Sequence, residues 1–476
     1  MLDGIIGFAG KIAGFLWGPW TMIFIGFVAL YLTIRSGAFQ FSKFGLIMRN
    51  TIGKLFKKQE VVKEGSMTPF QATAIALAGT VGMGNIAGVA SAISVGGPGA
   101  VFWMWVFALL GMISKTAEVA LAVHYREVEK DGTINGGPMY YMTKGLGWKP
   151  LAKLFSLGVL INAFLAAGLL QPHTVGRSLL ASYNLNPYIV TTVLALITGY
   201  VIIGGDKKIG EFCAKLVPFM SVFYIIATVI VFLINFKNIP NVFSLIFSSA
   251  FAPSAAIGGF AGAAVSAAIR NGMSRGMLSN EAGLGTAPMV HAKAEVSHPV
   301  EQGMWGAFEV FFDTIVICTL TAFLILSTNV IGSGKSGVEL TLAAFSSVYP
   351  SFIANLSMAV VITTFCLSTQ IGFFVYFETA VKNLFGDNAV KVFTWLYLIP
   401  GIIFAGVSDV DALWVFADIA TGVCAIPNLI GVIALSGVYL KLQKDYLEGK
   451  NEFLTSITDK EKNYIRKAKN SETSNI

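Results

Sequence analysis

One stretch constrains this chain more than any other, an apolar run broken by glycine at its centre: Ala74-Ile75-Ala76-Leu77-Ala78-Gly79-Thr80-Val81-Gly82-Met83-Gly84-Asn85-Ile86-Ala87-Gly88. The flanking residues suit a membrane-spanning helix, but the glycines and Asn85 weaken its hydrogen-bond ladder where the bilayer has no water to replace it. Such a break persists where it lines a site. At the bilayer midplane, a discontinuous helix turns free amides toward an anionic group and free carbonyls toward a cation. Gly79, Gly82 and Gly84 have no side chain to hold a ligand off, so their neighbouring amides suit a carboxylate. Thr80 and Asn85 add polar side chains at the same level.

Composition agrees with this reading. Of 476 residues, 55% are hydrophobic and 12% charged, with a mean hydropathy of +0.70. That is the make-up of an all-α polytopic membrane protein; a soluble chain of this composition would aggregate. The net charge of +7 does not point to nucleic acid, because the basic residues fall in short loops and in the C-terminal tail, where they act as topology signals. Cys213, Cys318, Cys366 and Cys424 lie in or beside apolar segments without metal-ligand spacing and read as buried thiols. His124, His173, His291 and His298 are scattered, and no phosphate-cradling Gly-Lys-Ser/Thr motif occurs. Neither an enzyme nor an ATP-driven pump is indicated, and no cofactor is called for. The N-terminus lacks the basic stretch and cleavage motif of a removable signal peptide.

At ~20 apolar residues per span, eleven spans fit, at roughly 17–35, 68–94, 98–124, 151–179, 187–204, 209–235, 256–288, 299–328, 351–381, 388–406 and 409–441. Residues 4–16 read as an amphipathic surface segment. The loop after the first span carries Lys43, Arg49, Lys54, Lys57, Lys58 and Lys63, and the loop after the third carries Arg126, Lys130, Lys144 and Lys149. The tail adds Lys441, Lys444, Lys450, Lys460, Lys462, Arg466, Lys467 and Lys469. With eleven spans these all fall on one side, which places the N-terminus outside and the C-terminus in the cytoplasm of a cell-membrane protein.

A second interruption is expected at 268–285, where Gly272, Met273, Gly276 and Met277 are further candidates for contact with a solute. The interrupted spans are the second and the seventh, and an odd offset reverses their direction. Two inverted five-helix repeats follow, each opening with a broken helix, plus one extra N-terminal span. The chain then divides into an N-terminal segment, first span and basic loop (1–65), a first repeat (66–240), a second repeat (241–445) and a basic tail (446–476). Among the intramembrane charges, Lys115 and Glu118 are three apart on one helix and are expected to pair, while Glu309 and Asp313 share a face.

The string Gly96-Gly97-Pro98-Gly99-Ala100-Val101-Phe102-Trp103-Met104-Trp105, with Gly136-Gly137-Pro138-Met139-Tyr140-Tyr141 and Ser279-Asn280-Glu281-Ala282-Gly283-Leu284-Gly285-Thr286-Ala287-Pro288, closely resembles the alanine or glycine:cation symporter family. The resemblance runs from about the first span to the last. It implies a leucine-transporter-type fold and sodium-coupled uptake of small neutral amino acids. By likeness to broken-helix carriers, sodium would be held by the carbonyls of Ala78, Val81 and Phe365 and the hydroxyls of Ser368 and Thr369. Gln171 suits an amino acid's ammonium or carboxylate. Where the family has Gln-Ala-Asn this chain has Gln171-Pro172-His173, and where it has Gly-Trp this chain has Gly372-Phe373. His173 beside Gln171 and the smaller Phe373 are therefore expected to shape specificity, with serine or glutamine as candidates beside alanine. A proton-coupled carrier using Lys215 or His173, or a channel, is the competing reading.

Overall fold

The computed structural model describes residues 2–55, 66–129, 133–251, 261–408 and 410–453. The basic residues Lys57, Lys58, Lys63, Lys130 and those from Lys460 onward lie outside the described residues. The principal helices are α1 (Leu2–Leu16), α2 (Pro19–Arg35), α3 (Pro69–Thr80), α4 (Gly84–Gly96), α5 (Gly99–His124), α6 (Lys149–Tyr183), α7 (Pro187–Ile202) and α8 (Gly205–Ile234). They continue with α9 (Ile239–Phe251), α10 (Ala261–Asn280), α11 (Pro299–Ser327), α12 (Gly337–Ser346), α13 (Ser351–Phe385), α14 (Val390–Ile403), α15 (Asp411–Ala434) and α16 (Ser436–Glu448). A small antiparallel hairpin pairs Glu127 with Asn135 and Val128 with Ile134.

Among the described residues, seven helices are long and apolar enough to cross a membrane. The pair α3 and α4, bent by 50°, makes an eighth. Side-chain exposure shows where lipid lies. On α2, Trp20, Ile23, Phe27, Leu30 and Ile34 are exposed, whereas Met22, Ile25, Val28 and Leu32 are buried. The exposed set recurs every three or four residues, so one apolar stripe faces outward while the other packs inward. Phe219, Val222, Ile226, Ile230 and Leu233 make the same outward stripe on α8. The segment expected to lie on the surface is α1, which packs against α15; Trp17 just beyond it donates to the Asp418 carbonyl at 2.9 Å.

Helix α3 begins with a reciprocal cap. Thr68 Oγ1 accepts from the Gln71 amide and Gln71 Oε1 accepts from the Thr68 amide, with Pro69 in the first turn. The helix stops where the glycines begin. Gly82 N–H, which an unbroken helix would give to the Ala78 carbonyl, donates instead to Asn85 Oδ1 at 2.8 Å. Beyond it, Gly84–Gly88 forms a π-helical stretch. Among the described residues two more π stretches occur, Ala163–Leu170 within α6 and Phe311–Cys318 within α11. The first of these precedes Pro172, whose ring cannot coexist with a regular ladder to the carbonyl four residues back.

The second break takes up only the last part of 268–285. Residues 261–280 form one continuous helix, and the chain unwinds only after Asn280, with Glu281, Gly283 and Gly285 at φ of 55°, 95° and 80°. Asn280 Oδ1 accepts from the Ala282 amide at 2.9 Å and ends the helix. A short helix, Pro288–His291, follows.

Candidate functional site

The two broken spans run in opposite directions. Where α3 begins, Met67 forms a parallel bridge with Ala294, downstream of the second break. Arg126 donates to the carbonyls of Ala292 and Ala294 at 2.7 and 2.6 Å, and Lys293, 1% exposed, binds Asp206 at 2.6 Å. At the opposite end, Val95 of α4 and Ser266, Ala267, Arg270, Asn271, Ser274, Arg275 and Leu278 of α10 line a cavity of about 610 Å³ with Ala13, Gly14, Trp17 and Asp418. The pair is thus strapped together at one end and hollow at the other.

Around the first break, α13 comes into direct contact with α3. A Cβ built on Gly372 would lie 2.8 Å from the Ile75 carbonyl oxygen and 2.9 Å from the Gly79 nitrogen, so only glycine permits this approach. A Cβ on Gly82 would lie 2.5 Å from Thr369 Oγ1. Ser368 and Thr369 both donate to the Phe365 carbonyl at 2.9 Å, which leaves their hydroxyl lone pairs for another partner. The structure therefore brings Thr369 against the break at Gly82, with the Ala78 carbonyl released from the ladder one turn earlier and Val81 in an extended conformation. Gly79 faces the other side of this contact, 3.1 Å from Tyr376 Oη and 3.4 Å from the Phe373 ring when a Cβ is built on it. Thr80 donates back to the Ala76 carbonyl at 3.2 Å, inside its own helix.

Three polar atoms on α13 and on α6, which packs against it, are buried without a protein partner among the described residues: Tyr376 Oη, Gln370 Nε2, whose Oε1 is held by Thr198, and Gln171 Oε1. A buried polar atom without a protein partner calls for a water, an ion or a ligand. Tyr376 escaped sequence reading, although its place four residues after Gly372 puts it on the same helical face.

Three expectations change. His173 does not stand beside Gln171: residues two apart on a helix project to different sides. Its Nε2 instead bonds the Val407 carbonyl at 2.8 Å, beyond α14, and Pro172 rests against Gly401. Gly272, Met273, Gly276 and Met277 stand in the regular part of α10 and not in an unwound segment. Gly272 packs against Ala100 and Trp103 of α5, Gly276 against Met104, and Met273 faces Gly26 of α2, so this stripe serves close helix packing. Lys115 pairs with Glu309 at 3.4 Å and not with Glu118. Glu309 also binds His291 Nε2 at 2.9 Å, and Glu118 accepts from Asn428 Nδ2 at 2.9 Å. Asn428 holds the second break as well, donating to the Gly283 carbonyl at 2.9 Å and accepting from Tyr141 Oη.

Asn85 reaches from the first break to α11, where Asp313 Oδ1 accepts from its Nδ2 at 2.7 Å. Ser279, in the last turn before the second break, donates to Asp313 Oδ2 at 2.8 Å. One buried carboxylate therefore joins both breaks. Asp313 was legible as an intramembrane acid, but its partners were not.

A bundle with lipid-facing apolar stripes, two antiparallel broken spans and buried polar groups gathered at the breaks defines a multi-pass membrane transporter. The chain belongs to the sodium:alanine symporter family, whose model matches residues 3–460, so the sequence resemblance holds. This is a family of amino-acid cation symporters. Relatives include the sodium/alanine symporter AgcS of Methanococcus maripaludis, 36% identical and covering 94% of this chain and 98% of that one. The probable sodium/glutamine symporter GlnT of Bacillus subtilis is 35% identical, covering 94% and 92%. The uncharacterized transporter YflA of the same organism is 38% identical, covering 96% of each. Among solved structures, a manganese transporter of Eremococcus coleocola is similar with a TM-score of 0.51 at 11% identity, covering 80% of this chain and 81% of that one. At that identity the likeness concerns the fold alone.

Proposed function

We propose that this protein imports a small neutral amino acid together with sodium by alternating access. The observation that carries the reading is the contact at the first break: Gly82 gives its N–H to Asn85, the Ala78 carbonyl is released, and Thr369 Oγ1 lies against the released turn. Carbonyls of Ala78, Val81 and Phe365 with the hydroxyls of Ser368 and Thr369 make a cage of neutral oxygens, which replaces sodium's hydration shell without moving a proton. The amino acid lies beside it. Its carboxylate takes the amides of the Gly79–Gly84 break, Gln171 and Tyr376 satisfy its remaining polar atoms, and Phe373 bounds the side-chain space. Alanine and glycine are the first candidates, with serine and glutamine next, since relatives are named for alanine and for glutamine.

The same reading has eleven spans in a five-plus-five inverted repeat, counting the shorter α7 and α14 and the polar α10 as crossings. The N-terminus lies outside and the strapped end faces the cytoplasm, because Ser36, His298 and Asp445 gather there beside the basic loops.

The test is uptake in proteoliposomes. An inward sodium gradient should drive accumulation of alanine against its own gradient, and Thr369→Val should raise the sodium concentration for half-maximal uptake on the order of tenfold, about 1.4 kcal/mol lost at the ion. Uptake that persists without sodium and collapses with a protonophore would overturn sodium coupling.

A further inference from the structure

Close packing decides which residues of α10 meet the cavity. Gly272 and Gly276 lie against Ala100, Trp103 and Met104 of α5. Residues two positions away from Gly272 fall on the opposite side of the helix, and there Arg270 and Ser274 line the cavity with Asn271 and Arg275. Among the described residues neither guanidinium makes a hydrogen bond or an ion pair, and Arg275 Nε is buried without a partner. Asp418 of α15 shares the cavity and forms no ion pair either. Unpaired charge held against the interior of a membrane protein is costly, and a partner of opposite sign relieves the cost.

We infer that this cavity binds a small monovalent anion, a halide or a carboxylate, through Arg270 and Arg275. Among the described residues two positive charges and one negative charge line it, which leaves a surplus of one positive charge. A guanidinium is a planar fork of N–H donors that grips a carboxylate with two bonds or a halide with one. Ser274 Oγ makes no hydrogen bond among the described residues and supplies a further donor, whereas Asn271 Nδ2 is partly spent on the Ala267 carbonyl at 2.9 Å. Ala13, Gly14 and Val95 give the cavity an apolar wall, and a low-dielectric wall beside fixed charges focuses their field into the space between. None of the residues proposed for the amino acid or for sodium lines the cavity, so the anion site is separate from both.

The test uses purified full-length protein carrying Ala13→Cys, a cavity-lining position in a chain whose four native cysteines are buried. The cysteine is modified by a sulfonate-bearing and by a trimethylammonium-bearing thiosulfonate reagent, and the ratio of the two rates reports the charge of the cavity. Measurements are made in choline salts at constant ionic strength, because general screening acts on any charged surface. Replacing sulfate by chloride or acetate should lower the anionic-to-cationic ratio in a saturable way. Chloride active with acetate inert assigns a halide, the reverse a carboxylate, and activity of both a site open to either. Arg275→Gln should weaken the effect about tenfold, the low end of what a hydrogen bond to a charged group contributes. Where Arg275→Gln does not fold, Arg270→Gln, at the more exposed of the two positions, should weaken it in the same direction. A ratio unmoved by chloride and acetate overturns the inference, as does an equal effect of sulfate, which would be screening alone. So does an effect that both glutamine variants retain. A ratio that responds only to alanine added with sodium also overturns it, since the cavity would then be no more than the approach to the amino-acid site, and the proposed symport would stand.

Discussion

At the residue scale, the close approach of Gly82 and Thr369 is the sharpest constraint on the candidate ion site. An added Cβ at 2.5 Å from Thr369 Oγ1 cannot be accommodated unless the hydroxyl turns away. Gly82→Ala should therefore leave the fold intact while raising the sodium requirement of uptake about tenfold or more, as expected when a ligating oxygen is displaced by a fraction of an ångström. His173 carries the opposite expectation. Its bond to the Val407 carbonyl ties α6 to the segment after α14, so His173→Asn should lower the melting temperature and leave the ranking of amino acids in a competition panel unchanged. A changed ranking would return His173 to the pocket. The sequence exposed Gly82, Asn85, Gln171 and Thr369 because their residue types are anomalous in apolar surroundings. It hid the direction in which His173 points, since that depends on the helix phase around the π stretch and Pro172.

At the element scale, both breaks could be read from glycine, but only the first could be placed. Arg270, Asn271, Ser274 and Arg275 look like the polar core of an interruption, yet they belong to a continuous helix and face the cavity. The interruption itself is set by side-chain capture: Asn280 takes the Ala282 amide, and Glu281 adopts the left-handed conformation that L-residues disfavour. Gly285 is the position with least tolerance. Its φ is 80°, and a Cβ there would lie 2.6 Å from Asn428 Cγ and 2.7 Å from Pro138. Asn428 holds Glu118, the Gly283 carbonyl and Tyr141 together. Gly285→Ala should thus cost roughly 1–3 kcal/mol from backbone strain alone, with the steric clash added. Thermal denaturation in detergent should show this beside Gly10→Ala, where nothing lies within 4 Å. The three π stretches, beside Asn85, Gln171 and Asp313, had no sequence signature beyond Pro172 and the glycines. Widened turns of this kind concentrate at functional positions.

At the scale of the whole molecule, the antiparallel broken spans are closed at the strap and hollow at the cavity, which under the alternating access proposed above is one of two states. The strap consists of the Met67–Ala294 bridge, Arg126 on two carbonyls, and Lys293 with Asp206. Periodicity made the helical bundle legible, but the strap joins residues far apart in the chain and no local pattern announces it. Lys293 is 1% exposed, so removing its partner leaves a buried ammonium with no opposite charge in that bond. Such a loss is usually worth several kcal/mol, enough to shift a transition between states that differ by only a few. Asp206→Asn should therefore favour opening at the strap and closing at the cavity. A cysteine placed at Ser274 reads this out, because it lines the cavity and the four native cysteines are buried. In the Asp206→Asn background, labelling of Ser274→Cys by a membrane-impermeant maleimide should slow several-fold, and saturating sodium should restore part of the rate by favouring the state that binds it. Equal labelling rates with and without Asp206→Asn would show that the strap does not hold this end shut.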